Sequence, residues 1–418
     1  MKTVSTTGCP RHALADEYNP FRSPQLEEPG PVWARARSEA PVFYSNVLSA
    51  WVVSRYADVV EVLRRHDVFA PGVQRKMFAV DSPEADALLA QLPPLETIKI
   101  HNSEPPQHTK LRRYLQPALM PRRVQPLGPE FHRIANELVD AFEAKGHVEF
   151  YEEYAFLFPM NVIGKLLDLP EDDFEQIKEW TDLQVQLRYG TPSAEEQVAL
   201  AQSQLDSFEY TRTLVRDRRA RPGQDLLSWM IQDSDAGDDP LTDDQLAAQV
   251  TTMITAGHET TAHFLTMLMH RILTERHLWD ALVADPKECA ALVEEGLRIT
   301  GPVQSLWRRT KVDTQVGGVD IPHDARIAVL VGSANLDDDV FADAAAFEPY
   351  RADVGSHVAF GKGIHNCPGA GVARLEVRAT LEVLATRLPT LRLADDPGYL
   401  FKPGATQRMA ESLNLVWV

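Results

Sequence analysis

The chain has 418 residues, 44% of them hydrophobic and 24% charged, the balance of an ordinary water-soluble globular protein. Its 42 basic and 60 acidic residues leave a net charge of -18, which argues against a nucleic-acid binder, because neutralising phosphates takes a basic face. Cys9, Cys289 and Cys367 are odd in number and far apart, so they make no disulfide framework, and a reducing cytoplasmic compartment is expected.

The first thirty residues hold no apolar run long enough for a signal peptide or a membrane span. No Gly/Ser-rich or Pro-rich linker divides the chain and no repeat recurs in it. One unit over 1–418 is therefore expected, with a mixed α/β portion over about 30–100 and a helical core over about 105–418. The fold class is mainly α with a minor β part.

In chain order, Val42 to Tyr44 and Trp51 to Val53 read as a β-hairpin. Tyr56 to Arg65 has helical apolar spacing. From Pro71 to Pro106 five further prolines interrupt any periodicity, as in a binding loop or lid. Helical patterns then run from His108 to about Leu297. Two of them meet at Tyr189 to Ser193, where Ser193 and Glu196 have capping-box spacing. A second such pair, Thr242 and Gln245, opens the longest helix, expected from about Asp243 to Glu275. At 1.5 Å per residue it is roughly 50 Å long, so it must cross the core. A helix opened by Asp285-Pro286 follows, then strand-like runs between Thr310 and Val331. A helix to about Leu388 carries Val377, Leu381, Leu384 and Leu388 on one stripe.

Just before that last helix stands HVAFGKGIHNCPGAGVAR, residues 357–374. Proline favours the first helical position, so Pro368 would start the helix and leave Cys367 at its positive end, where a thiolate is favoured. Four glycines around the thiol allow backbone to approach a large flat ligand. A thiolate in such a loop suits an axial ligand of haem iron. A buried structural cysteine is the plainer alternative. Zinc lacks its other ligands, there being no CxxC pair. Gly369-Ala-Gly371 imitates a dinucleotide fingerprint, but Arg374 fills the third glycine position and Cys-Pro stands where a strand should end.

Phe360-x-x-Gly363-x-x-x-Cys367-x-Gly369 resembles the haem-binding loop of the cytochrome P-450 superfamily, and the resemblance extends from Tyr56 to the C-terminus. It implies one large helical domain whose long central helix crosses over haem b, with Cys367 on the iron. It implies a monooxygenase that inserts one oxygen atom from O2 into an apolar small organic substrate. Electrons would come from a separate ferredoxin and ferredoxin reductase, with no nucleic acid or membrane involved.

Within the long helix, Ala256-Gly-His-Glu-Thr-Thr261 is similar to the family's oxygen-activation motif. Taken alone, it reads as a solvated face or as threonines bonding back to their own helix. A mid-helix glycine costs about 1 kcal/mol against alanine, and the resemblance gives it a use in making room for dioxygen. Glu259 would relay protons from solvent and Thr260 would be the hydrogen-bonding alcohol beside it. His258 is not expected on the iron. Glu295-x-x-Arg298 with Arg351 resembles the family's structural ion-pair motif.

Haem propionates need cationic or hydrogen-bonding partners. His108 and Arg112, on one helix face, match the family's pair; Arg308 and His365 match its other contacts, with Arg309 adjacent to Arg308. Phe360 and Gly361 would line the haem.

Pro368 has no N–H to give the sulfur, so a more electron-rich thiolate is expected. Arg408-Met-Ala departs from the Arg-Gly-Leu frequent in relatives, at one pocket wall. The other walls would include the 71–100 loop with Met77, Phe78, Leu92 and Ile98, the region of Tyr189, Ile254 to Ala256, and Val303 to Leu306. Lys110, Arg112, Arg113, Arg122, Arg123, Lys362, Arg374 and Arg378 fall in segments expected on the cysteine side, where an acidic ferredoxin would be steered. Peroxide-driven or isomerising chemistry on the same fold would not need the Glu259–Thr260 pair, and the pair also counts against a haem sensor; oxidative coupling on the same fold is a further alternative.

Overall fold

The computed structural model describes residues 12–72, 82–189 and 192–418. Helices dominate and the sheets are small. The chain packs as two compact units, each drawn from separate stretches of sequence.

One unit comprises the described parts of Met1–Val73, Ala290–Cys367 and Phe401–Ala410. The expected hairpin forms from Val42–Ser45 and Ala50–Val53, in register Val42 to Val53. It continues a five-stranded sheet through Arg326–Val329, Leu306–Thr310 and Phe69–Pro71. The pairing of Ala50–Val53 with Arg326–Val329 is parallel and the others are antiparallel. Trp51, Val53, Ile327 and Val329 from the sheet pack with Val59, Val62 and Leu63 of the helix Tyr56–Arg64. The strands of this region begin at Leu306 rather than Thr310: the arginines at 308 and 309 break the apolar run, but they sit on opposite faces of the strand.

The other unit comprises the described parts of Gln74–Cys289, Pro368–Leu400 and Glu411–Val418. Its axis is the helix Asp243–Thr274. Both expected capping boxes are present, Ser193 with Glu196 and Thr242 with Gln245, each satisfying backbone N–H groups reciprocally. From Thr261 to Met269 every residue of the long helix is buried. This part of the helix is buried on all sides, its polar Thr261, His263 and Thr266 included. Helices Ala194–Ala220 and Leu157–Leu167 pack along it. A three-stranded sheet of His147–Glu149, Asn414–Val416 and Arg392–Leu393 closes one side of this unit.

Two further expectations change. The proline-rich stretch is not irregular throughout: Pro83–Leu89 and Leu95–Ile98 are short helices, the first capped by Ser82 accepting from the Ala85 N–H. Short helices of this kind leave no readable periodicity. The helix after the cysteine runs Ala370–Arg387 with Gly369 as N-cap, so Pro368 precedes the helix instead of starting it. No described helix is long and apolar enough to cross a membrane.

Candidate active site

Cys367 is half-buried and not in a disulfide. Its N–H donates to the carbonyl of Phe360 at 2.9 Å, which closes the loop between them. Two residues in that loop need glycine. Gly361 and Gly363 have φ of 72° and 74°, in the left-handed region that side chains disfavour. At Gly363 a Cβ would also stand 2.4 Å from the Leu63 carbonyl oxygen. The loop therefore rests directly on the last turn of the helix Tyr56–Arg64. His365 lies in a single 3₁₀ turn, Gly363–His365, just before the thiol. The segment preceding Gly369 is this turn and not a strand, which removes the dinucleotide reading.

In the same unit, Arg308 is only 7% exposed. Its guanidinium donates to its own neighbour's carbonyl, Trp307 O, at 2.8 Å. No carboxylate pairs with it among the described residues, and burial alone lowers its pKa to about 10. Arg309 faces outward and pairs with Asp324 at 3.0 Å. The strand's alternation thus distinguishes the two arginines: 308 is the buried cation.

The Glu295–Arg298 pair is fully buried, at 2.7 and 2.8 Å. Arg351 Nε lies 3.3 Å from Glu295 Oε1, and the Glu348 N–H donates to the same oxygen at 2.9 Å. Burial pushes the Glu295 carboxyl up, but Arg298, the Glu348 amide and Arg351 together hold it below the usual carboxylate range. Arg298 also donates to the carbonyls of Asn335, Ala344 and Ala346. The triad expected from sequence is one network.

In the other unit, Ala256 is exposed in the middle of the long helix, and Gly257 and Thr260 are half-buried, although their neighbours are buried. Glu259 is buried. Thr260 Oγ1 donates to the Ala256 carbonyl at 2.8 Å, so the hydroxyl does bond back to its own helix. Its oxygen keeps lone pairs able to accept from a ligand or water. His258 is buried, with Nδ1 2.8 Å from the Ile254 carbonyl and its ring edge-on to Phe156. His108 is buried near the start of the helix Gln107–Ala118, and Arg112, one turn on, donates to Gln116 at 3.0 Å.

Of the basic residues expected to face a partner, Lys110 is paired with Asp239 at 2.6 Å and Arg123 with Asp233 at 3.1 Å. Arg113 and Arg122 are exposed. Arg408 reaches the Glu27 carbonyl and lies over the Phe401 ring, 4.9 Å from its centre. Met77 and Phe78 lie outside the described residues, as do Gly190 and Thr191.

Sequence reading passed over three buried polar residues here. Gln249, on the long helix, donates to the Ile98 carbonyl at 2.6 Å and accepts from the Ile100 N–H at 3.3 Å, clasping the end of the 71–100 loop. Glu376 bonds Thr261. His357 pairs with Glu294 at 3.2 Å. Glu376 left a signal: it interrupts a buried stripe of Val372, Ala379 and Val383.

The cytochrome P450 family model matches residues 192–288 and 289–388. Cytochrome P450 CYP107DY1 of Priestia megaterium is 31% identical over 384 residues, covering 90% of this chain and 91% of that protein. Cytochrome P450 monooxygenase PikC of Streptomyces venezuelae is 32% identical over 394 residues, covering 93% and 91%. The crystal structure of an intact type IV self-sufficient cytochrome P450 monooxygenase matches with a TM-score of 0.93 and 31% identity, over 99% of this chain and 54% of that one. Similarity that spans nearly all of this chain and of its curated relatives places it in the cytochrome P450 family, as a bacterial-type monooxygenase of the class that holds haem through a cysteine thiolate.

Proposed function

We propose that the chain, acting as a single domain over 1–418, inserts one oxygen atom of O2 into an apolar small organic substrate. Electrons come from a separate ferredoxin and its reductase in the cytoplasm. Cys367 is the metal ligand, and Phe360 and Gly361 lie along the macrocycle. His108, Arg112, Arg308 and His365 take the propionates.

The residues present fit haem, and Arg308 carries that argument. A guanidinium buried without a counter-ion costs the protein free energy unless an anion arrives. A propionate is such an anion, and an arginine meets a carboxylate by charge-assisted hydrogen bonds. The glycine loop supports the same reading, because it presents the thiol with no side chain at 361 or 363. When bound, haem supplies the oxygen chemistry. The protein's residues supply binding, orientation and protons.

Thr260 would accept a hydrogen bond from a ligand or water while its own hydroxyl donates to the Ala256 carbonyl. Glu259, one residue away on the helix, is the group that moves protons toward that position. Ala256 and Gly257 keep the helix thin there.

The test is spectroscopic and then kinetic. The reduced, carbon monoxide-bound protein should show the strongly red-shifted Soret band of thiolate ligation, and Cys367→Ser should abolish it. Thr260→Ala should divert electrons from product to hydrogen peroxide. Unaltered coupling in that variant would favour peroxide-driven or isomerising chemistry instead.

A further inference from the structure

The cysteine loop is tethered at its root, by two independent side-chain routes, to the helix Cys289–Thr300 that carries Glu295 and Arg298. In the first route Arg298 Nη1 donates to the Asn335 carbonyl at 2.8 Å. The Asn335 side-chain oxygen then accepts the N–H of Val358 at 2.7 Å. Asn335 is 2% exposed. In the second route His357 Nε2 lies 3.2 Å from Glu294 Oε2, and His357 Nδ1 lies 3.3 Å from the backbone nitrogen of Ala359. A backbone N–H only donates, so Nδ1 is the acceptor and Nε2 carries the hydrogen given to Glu294. The His357 side chain is 4% exposed.

These bonds act on residues 357, 358 and 359. The next residue, Phe360, holds the Cys367 N–H through its carbonyl, and the Gly361 N–H donates back to the Val358 carbonyl at 2.9 Å. Residues 357–359 are therefore the fixed base from which the thiol-bearing loop rises. Buried polar pairs of this kind give little net stability compared with apolar packing. What they fix is geometry. One helix face holds both routes: Glu294 and Arg298 are four residues apart, one turn of the helix.

We infer that Glu294, Asn335 and His357 are positioning residues for the Cys367 thiolate, setting the direction from which the sulfur meets the metal. This rests on the reading of Cys367 as the metal ligand. Loosening the base should let the loop relax. The thiolate would then be lost or protonated more readily, and the reduction potential would move.

The experiment uses the haem-loaded protein and two readouts besides turnover: the Soret position of the reduced carbon monoxide complex, and the reduction potential. In Asn335→Ala and His357→Ala the ratio of the blue-shifted, thiolate-free form to the red-shifted form should rise about fivefold, the scale of one lost hydrogen bond. His357→Gln, which can still donate toward Glu294, should restore part of it. Alanine variants that carry haem with the wild-type spectrum and potential would overturn the proposal. Should the alanine variants fail to retain haem, Glu294→Gln decides: it keeps the shape of the tether and weakens its charge, and an unchanged potential there also overturns the proposal. A wild-type protein with no thiolate-type band would instead bring down the reading of Cys367 itself.

Discussion

Thr261 Oγ1 donates to Glu376 Oε2 at 3.1 Å, joining the long central helix to the helix Ala370–Arg387. Glu376 is buried, and that burial pushes its carboxyl up to about 8, with the Thr261 hydrogen bond pulling the other way. Its folded-state value thus lies above the ordinary 4.5. Across the window between those two values the native state binds more protons than the unfolded chain, so stability falls as pH rises through it. Glu376→Gln should remove that dependence. Compared with wild type, the variant should gain on the order of a few kcal/mol at the alkaline end of the window relative to the acid end. Thermal unfolding at both ends checks this; parallel pH profiles for the two proteins would refute it.

Arg308 gives a prediction of opposite signs for the two forms of the protein. Without haem, its buried charge costs on the order of a few kcal/mol, the scale of its lowered pKa. Arg308→Met keeps much of the side-chain volume and removes the charge. The apoprotein should melt at a higher temperature, while the gap between apo and haem-loaded melting narrows and haem dissociates faster. An apoprotein that melts lower, with haem retention unchanged, would contradict the assignment.

The exposed arginines separate docking from packing. Arg113→Glu and Arg122→Glu should slow electron delivery by an acidic ferredoxin several-fold at low ionic strength, and salt should erase the difference. Lys110→Ala and Arg123→Ala break the pairs with Asp239 and Asp233 and should alter electron delivery less. Stopped-flow reduction at two salt concentrations distinguishes them. Equal effects from all four would show that the partner reads total charge rather than this surface.

Much of this molecule is legible in its sequence because the informative residues sit close together along the chain. The capping boxes at 193–196 and 242–245, the glycine loop at 361–367 and the Glu295–Arg298 spacing are all local patterns. Local patterns carry their own geometry. Arg308 and Arg309 were adjacent candidates until the strand's alternation turned one inward and the other to Asp324.

What escaped reading depends on distant partners. Gln249 finds the backbone of Ile98 and Ile100 about 150 positions away, and nothing near it in the sequence announces that clasp. Asn335 looks like an ordinary turn residue until Arg298 and Val358 close on it. Helices Pro83–Leu89 and Leu95–Ile98 were hidden for a different reason: each is too short to display a period.

The contact at Gly363 has a consequence for variation in this protein. Because the missing Cβ would sit 2.4 Å from the Leu63 carbonyl, the height of the thiol loop is gauged by main chain against main chain. Side chains on either segment can drift without moving that gauge. A single methyl group at 363 would lift the loop off its seat. Libraries that randomise this loop should therefore reject almost every change at 363, as they should at Gly361, whose positive φ also needs glycine.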